Sequence, residues 1–296
     1  MALKDQGPRP VRPFKPVASI GQYGSTIGEL SMPWGVAVTE RNVVGPQIAV
    51  SDTSNNRIQI FNIDGTSLKT FGSHNNWKSN RQGEFNFPTG IVYHDNGNIT
   101  VTDTYNHRVQ TFSGDGKYLC HFGEEGSLDH QLNAPYGLSL DSEGNIIVAD
   151  TGNKLIKIFS PSGEFLRKLG GEGSLNSAAH CIQQDQYFIV SDFGDHCIKV
   201  FDLKGSYLYT FGKRGDGDGD FGSPRCLALN QEGHLLVCDS ENHRVQLFEQ
   251  NGKFLTKFGT YGSEKGQFYY PVCAAVLGDS RIIITDMYNC RIQIFG

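Results

Sequence analysis

Residues 237–248, VCDSENHRVQLF, hold a pattern that recurs along the chain. An apolar strand runs into an aspartate, a polar turn follows, and a second strand ends in a phenylalanine nine residues after the aspartate. The aspartates are Asp52, Asp103, Asp150, Asp192, Asp239 and Asp286, and the matching phenylalanines are Phe61, Phe112, Phe159, Phe201, Phe248 and Phe295. Six matched pairs indicate six structural repeats.

Each repeat has room for four short strands, a to d. Strand a follows a proline, as in Pro135-Tyr136-Gly137, strand b runs into the aspartate, and strand c ends at the phenylalanine. Strand d follows a glycine turn such as Asn251-Gly252. Alternating apolar residues between glycine turns are typical of antiparallel hairpins. The sequence therefore predicts an all-β fold, a six-bladed β-propeller with four antiparallel strands per blade.

The repeats differ where a propeller tolerates variation. Successive aspartates are 51, 47, 42, 47 and 47 residues apart, because the loop before blade two is longer and the loop before Ser177 is shorter. Blade four also has Ser177 and Ala179 where the other blades have the proline and, in most cases, the glycine.

The two chain ends predict how the ring closes. The last repeat stops at Phe295-Gly296 without a strand d, whereas residues 14–21 have a strand d pattern and precede blade one. We predict that this N-terminal strand completes the last blade and removes an exposed edge, so that removal of the residues before Ser19 opens the ring. The predicted division is residues 1–13 as a linker or chain end and residues 14–296 as the propeller.

Composition narrows the function classes. The chain has 296 residues and a formal net charge of −5, so any RNA binding needs a local basic surface. It has no run of 18 apolar residues and no secretory signal, which favours a soluble, cytoplasmic domain without a membrane partner. The seven cysteines form no C-x-x-C pair and are predicted to be small buried hydrophobes; no metal or cofactor is expected.

The turn after the aspartate carries a family resemblance. Asn106-His107-Arg108 recurs as Asn242-His243-Arg244 and, altered, as Asn55-Asn56-Arg57 and Asn289-Cys290-Arg291. In this turn, and over nearly its whole length, the chain resembles the NHL domain of TRIM-NHL proteins. The resemblance implies a domain that binds RNA or partner proteins, in a protein whose RING-type E3 ubiquitin ligase module lies upstream. Blades three and four depart most, with Asn153-Lys154-Leu155 and Asp195-His196-Cys197.

The repeated charges have two interpretations. An arginine follows the aspartate by five residues in four blades: Asp52 with Arg57, Asp103 with Arg108, Asp239 with Arg244 and Asp286 with Arg291. These arginines could bind phosphate, or each could pair with its aspartate within the turn. Repetition around a ring favours a structural role for these pairs and for Asp150 and Asp192.

The d–a and b–c loops open on one side of the disc, here called the top face. Aromatic, amide, imidazole and cationic groups collect there, and such a mixture suits single-stranded RNA, which the resembled family binds on this face. The alternative is that the aromatics only pack the loops. The candidate binding residues are Trp34, Asn56, Trp77, Lys78, Arg81, Tyr105, His107, Tyr136, Lys154, Phe193, His196, Lys213, Arg214, Arg225, His243 and Tyr288, with Thr89 and Val272 at matching positions.

Charge on this face is uneven. The loop before blade two carries His74, Lys78 and Arg81, whereas Lys213-Arg214 is followed by the Gly-Asp run 215–220. RNA is expected to favour the first sector. The Gly-Asp run lacks the distal glutamate of a calcium-binding EF-hand and is expected to be a solvated loop.

The predicted function is RNA binding by a non-catalytic, monomeric domain, in post-transcriptional regulation. The alternative is a protein-interaction platform that recruits substrates to a TRIM-type ubiquitin ligase, which the acidic net charge favours. An enzyme with a metal in the central channel needs several ligands on the innermost strands, and the sequence offers only His180 and His94 there.

Overall fold

The fold is described by a computed structural model that covers residues 13–41, 45–72, 78–171 and 173–296. Within these residues, 24 strands form six four-stranded antiparallel sheets arranged as the blades of a propeller. No helix in this part of the chain has the length and apolar character needed to span a bilayer.

The strands follow the order a to d in each blade. In the first three blades they are β2 (Pro33–Thr39), β3 (Gln47–Asp52), β4 (Arg57–Asn62), β5 (Ser67–Gly72); β6 (Pro88–Tyr93), β7 (Ile99–Asp103), β8 (Arg108–Phe112), β9 (Tyr118–Phe122); β10 (Pro135–Leu140), β11 (Ile146–Asp150), β12 (Leu155–Phe159), β13 (Phe165–Leu169). In the last three they are β14 (Ala178–Gln184), β15 (Tyr187–Asp192), β16 (Cys197–Asp202), β17 (Tyr207–Phe211); β18 (Pro224–Leu229), β19 (Leu235–Asp239), β20 (Arg244–Phe248), β21 (Phe254–Phe258); β22 (Pro271–Val276), β23 (Ile282–Asp286), β24 (Arg291–Phe295) and β1 (Pro16–Ile20).

Short 3-10 turns join strands b and c in four of the blades. They comprise Thr53–Asn55, Thr104–Asn106, Thr151–Asn153 and Ser240–Asn242.

The N-terminal strand closes the ring, as the sequence predicts. β1 pairs with β24 in an antiparallel register that sets Ile20 opposite Ile292. The strand is shorter than the predicted segment 14–21, but Lys15 and Gly296 extend the pairing by exchanging backbone hydrogen bonds of 3.1 and 3.0 Å. Blade six also contacts blade one, where the Thr285 hydroxyl donates to the Trp34 carbonyl at 2.7 Å.

The core lies between blades. The strand c phenylalanines are all buried, and aliphatic side chains from the neighbouring blade pack around them. Strand d is the outer edge of each blade, and in β1, β5 and β13 its side chains alternate between less and more exposed positions. Gly35 and Gly137 lie where the innermost strands approach each other, and a Cβ at either position would collide with a carbonyl oxygen of the next blade.

Each blade buries an aspartate with a cation beside it. In four blades the arginine Nε donates to the aspartate at 2.7 or 2.8 Å, as predicted for Asp52, Asp103, Asp239 and Asp286. The arginine also donates to carbonyls of the preceding loop; Arg57, for example, reaches Ser25, Thr26 and Glu29. Burial raises the pKa of Asp52 and Asp103 despite these donors, because the carboxylates are removed from water.

Blades three and four lack this arginine but keep a cation. Lys157 Nζ lies 2.9 Å from Asp150, and Lys199 Nζ lies 2.8 Å from Asp192. Both lysines follow the aspartate by seven residues, the position that glutamine holds in the other four blades. Lys157 is fully buried and, like the arginines, donates to carbonyls of the preceding loop, those of Leu128 and Gln131.

Candidate binding site at the top face

The pairing of strands a and b sets the edge on which the candidate residues lie. The proline that begins strand a is opposite the aspartate that ends strand b, as in Pro135 with Asp150 and Pro271 with Asp286. Residues around the proline and residues of the b–c turn therefore lie on one face of the disc.

Five of the candidate residues occupy a left-handed position in the b–c turn. Asn56, His107, Lys154, His196 and His243 have φ values between 52° and 57°. Asparagine and histidine are among the few residue types enriched at positive φ, so the backbone already accounts for part of this pattern.

The side chains at this turn position also link neighbouring blades. Asn56 Oδ1 accepts a hydrogen bond from Phe87 N–H at 2.8 Å, and His243 Nδ1 accepts one from Tyr270 N–H at 3.1 Å. His107 accepts one from Ala134 N–H at 3.2 Å. His196 Nδ1 contacts the Gly222 carbonyl, and Lys154 Nζ lies 3.5 Å from Asn176 Oδ1. A ligand would meet only the remaining atoms of these side chains.

Arg225 occupies the centre of the face. Its guanidinium carbon lies 3.8 Å from the centre of the Phe193 ring and 5.6 Å from that of Trp34. Nη2 donates to the Tyr270 hydroxyl at 3.2 Å. Nε is buried and has no hydrogen-bond partner within the described residues. Three aromatic residues from three other blades therefore fix a cation that retains an unused donor.

Aromatic rings continue from Arg225 in two directions. On one side, Trp34 contacts Tyr136 with a centroid separation of 5.3 Å and Phe87 at 6.4 Å, and Phe87 contacts Tyr105 at 4.9 Å.

On the other side, the rings lead outward. Tyr270 contacts Tyr288 at 5.4 Å, Tyr288 contacts Tyr269 at 4.8 Å, and Tyr269 contacts Tyr261 at 5.3 Å. His243 packs on Tyr261 at 4.9 Å.

We call this continuous set the aromatic band. Its members are Trp34, Phe87, Tyr105, Tyr136, Phe193, Arg225, His243, Tyr261, Tyr269, Tyr270 and Tyr288. All six blades contribute to it. Tyr105 is 51% exposed and Tyr261 64%, so stacking surface is open to solvent at both ends. Burial lowers the pKa of His243, against the charges of nearby carboxylates.

A second repeated position lies in the loops between strands d and a. In five of these loops the residue after this position donates its N–H to the carbonyl of a buried residue six positions further along the chain, as Gly262 does to Phe268. This loop position is exposed, and its chemistry changes around the ring: Tyr23, Lys78, Glu125, Arg214 and Tyr261. Lys78 and Arg214, two of the predicted cations, therefore occupy equivalent positions in two of these loops.

The remaining candidates have different placements. Lys78, Arg81, Lys213 and Arg214 are exposed, and none of them makes a cation–π contact within the described residues. Trp77 and His74 lie outside the described residues. The assignment of Thr89 and Val272 to the face is wrong, because both are buried. The Thr89 hydroxyl is used by Thr102, Thr104 and the Tyr136 carbonyl.

Sequence analysis missed Phe87, Tyr261, Tyr269 and Tyr270. Phe87 and Tyr270 directly precede the prolines of strand a, and both have positive φ, 64° and 69°. The residue before the strand a proline therefore indicates a position on the top face as well as the residue after the proline does. For Tyr261, the signal was its position two residues after Gly259, which matches Tyr23 after Gly21.

A cavity of about 240 Å³ lies beneath the band, in the central channel. All six innermost strands line it, and most of the lining is apolar. His180 is buried there between the Leu138 carbonyl and the Leu227 N–H, and burial lowers its pKa to about 4. The described residues contain no cluster of three or more histidine, cysteine or acidic side chains that could hold a metal ion.

The repeat family can be assigned from these spans. The NHL repeat model matches residues 85–112, 132–159 and 221–248, which in each case run from the d–a loop to the strand c phenylalanine. Blades two, three and five therefore each contain an NHL repeat. Its relatives include Protein brain tumor of Drosophila melanogaster, 32% identical over 35% of this chain, and Protein lin-41 of Caenorhabditis elegans, 43% identical over 18%. The matched segments make up only 9% and 4% of those two proteins.

Solved structures resemble this propeller in fold. A structural genomics protein from Bacteroides thetaiotaomicron has a TM-score of 0.70 at 14% identity, over 95% of this chain and 73% of its own. A streptogramin B lyase scores 0.64 at 12% identity, over 90% and 93%. The WD40 propeller domain of Doa1 scores 0.62 at 16% identity, over 89% and 78%. At such identities the likeness concerns architecture alone, and the lyase says nothing about activity here. The relation to Brain tumor and lin-41 supports a binding role for the NHL propeller.

Proposed function

We propose that this propeller binds single-stranded or stem-loop RNA on its top face, as part of post-transcriptional regulation. The observation that carries the proposal is Arg225, a half-buried side chain whose guanidinium is held among the rings of Phe193, Trp34 and Tyr270. A guanidinium in this setting offers a planar donor to a phosphate or a base edge, and the adjoining rings offer stacking surfaces.

The charge distribution supports the same ligand class. The net charge of −5 provides no overall attraction, but the exposed Lys78, Arg81 and Lys154 lie in loops and turns of the top face, outside the aromatic band. In the Gly-Asp run, Asp218 is paired with Lys257 at 2.7 Å, which offsets part of its repulsion. Phosphates can therefore be neutralised at the periphery while bases stack on the band.

Two substitutions separate the stacking contribution from the charge contribution. We expect Tyr105→Ala to weaken binding of a short single-stranded RNA by about 5- to 150-fold without changing its salt dependence, since base–aromatic stacking contributes about 1–3 kcal/mol. We expect Arg225→Ala to weaken binding similarly and also to flatten the slope of log K against log salt by about 0.7, the loss of one phosphate contact. Fluorescence anisotropy at several salt concentrations, on an RNA selected from a random pool, measures both.

The matched control is Lys117→Ala, which removes an exposed cation from a c–d turn on the opposite face. It should leave RNA affinity unchanged, and thermal melting should show that all three variants are folded. A wild-type protein that binds no RNA from the pool above nonspecific background would refute the proposal. Co-purification of a stoichiometric protein that Tyr105→Ala or Arg225→Ala releases would instead identify a protein-interaction platform.

A further inference from the structure

Two cysteines from neighbouring blades meet in the central channel. Cys226 lies on β18 of blade five, Cys273 lies on β22 of blade six, and their sulfur atoms are 2.7 Å apart. Both line the cavity beneath the aromatic band, where Cys226 is buried and Cys273 is partly accessible. Both cysteines lie two residues after the proline of strand a, so they hold equivalent positions of successive repeats, 47 residues apart.

From this geometry we infer that Cys226 and Cys273 form a redox-reversible disulfide that crosslinks blades five and six when the protein meets a hydroperoxide. The sulfurs need to approach by only about 0.7 Å more to reach the S–S bond length of about 2.05 Å. The inference concerns the scaffold and does not depend on which ligand the top face binds.

The surroundings favour a disulfide over a metal site. Two thiolates on one tetrahedral zinc are held about 3.8 Å apart by bonds of about 2.3 Å, which is well beyond the separation here. His180 also lines the cavity, but it is engaged by Leu138 and Leu227 of the inner strands.

The chemistry assigns a role to each sulfur. The hydrogen bond from the Cys226 thiol lowers the pKa of Cys273, whereas burial raises the pKa of Cys226. The Cys273 thiolate attacks the O–O bond of hydrogen peroxide, forms a sulfenic acid and, with uptake of a proton, releases water. The Cys226 sulfur then attacks the sulfenic sulfur, its proton leaves with the departing hydroxide as a second water, and the S–S bond forms. Two thiols are oxidised while one peroxide is reduced to two waters.

The remaining cysteines provide internal controls. Cys120 is exposed on β9, contrary to the prediction that all seven are buried, while Cys181, Cys197, Cys238 and Cys290 are buried. If exposure alone decided oxidation, Cys120 would react and the channel pair would not. If proximity decides it, the pair reacts as a unit.

The test is a peroxide titration of the folded wild-type chain. We expect two of the seven thiols to become unavailable to alkylation after denaturation, and a crosslinked peptide containing Cys226 and Cys273 to appear in mass spectra and disappear on treatment with dithiothreitol. Trypsin leaves Cys226 and Cys238 together on peptide 226–244, so the Cys238→Ser variant must be run alongside and should keep the crosslink. Cys226→Ser should abolish it.

Two results would overturn the inference. One is a wild-type protein in which Cys226 and Cys273 remain fully alkylatable after peroxide while Cys120 is oxidised. The other is a crosslink that joins Cys238 to Cys273 and is lost in Cys238→Ser. Both are read from wild type or from a variant that keeps the pair, so the test does not depend on the folding of Cys226→Ser.

Discussion

Replacing Lys157 with glutamine lowers the free energy of unfolding by about 3–5 kcal/mol, because it leaves a buried carboxylate without a counter-charge. Asp150 and Lys157 are both fully buried, and the ammonium is 2.9 Å from the carboxylate. The lysine also donates to the carbonyls of Leu128 and Gln131, which hold the preceding loop against the blade. The substitution therefore removes the cation and one side of a buried hydrogen-bond network.

A second substitution should restore the lost stability. Leu155→Arg combined with Lys157→Gln places an arginine and a glutamine beside Asp150. These are the two residue types found at the same positions beside Asp52, Asp103, Asp239 and Asp286. We expect this double variant to recover most of the loss, measured as the midpoint of guanidinium unfolding followed by tryptophan fluorescence. A single variant within 1 kcal/mol of wild type, or a double variant no more stable than the single, would contradict the compensation.

The lysines that replace the arginine in blades three and four are visible in the sequence. Five residues after the aspartate, these two blades have Leu155 and Cys197, which break the arginine pattern. In a strand, however, residues two positions apart point to the same side, so the position seven residues after the aspartate faces the same carboxylate. A lysine there, as at 157 and 199, reaches the aspartate as the arginine does.

The fold was predictable because each repeat fixes its own strands. Apolar alternation, glycine turns and the fixed interval from aspartate to phenylalanine specify blade, strand order and closure without long-range information. The aromatic band was only partly predictable. Which rings touch depends on backbone angles at Phe87 and Tyr270, where the residue before the strand a proline adopts a positive φ that is rare for aromatic residues. Cys226 and Cys273 hold the same position of successive repeats, so their blades could be predicted to be neighbours, but the sulfur separation depends on the packing of the two innermost strands.

Removal of residues 1–20 is expected to open the ring and cause association of the chain. Without β1, strand β24 of blade six becomes an edge with unpaired backbone groups, which promotes pairing between molecules. The deletion also removes Ile20 from the cluster that contains Leu30 and Ile292, and Phe14 from its contact with Phe258 at a centroid separation of 4.6 Å. The loss of Ile20 alone corresponds to about 2–5 kcal/mol, by analogy with truncation of a buried isoleucine.

The matched control is a chain that lacks only residues 1–12 and retains all of β1. It should unfold at the same denaturant concentration as the full chain and elute as the same species in size-exclusion chromatography with light scattering. The longer deletion should unfold at a clearly lower denaturant concentration and elute as larger species, because the free edge of blade six pairs with another copy. Equal midpoints and equal masses for the two deletions would mean that β1 does not close the ring in solution, since five blades and three strands of the sixth would then suffice to hold the disc together.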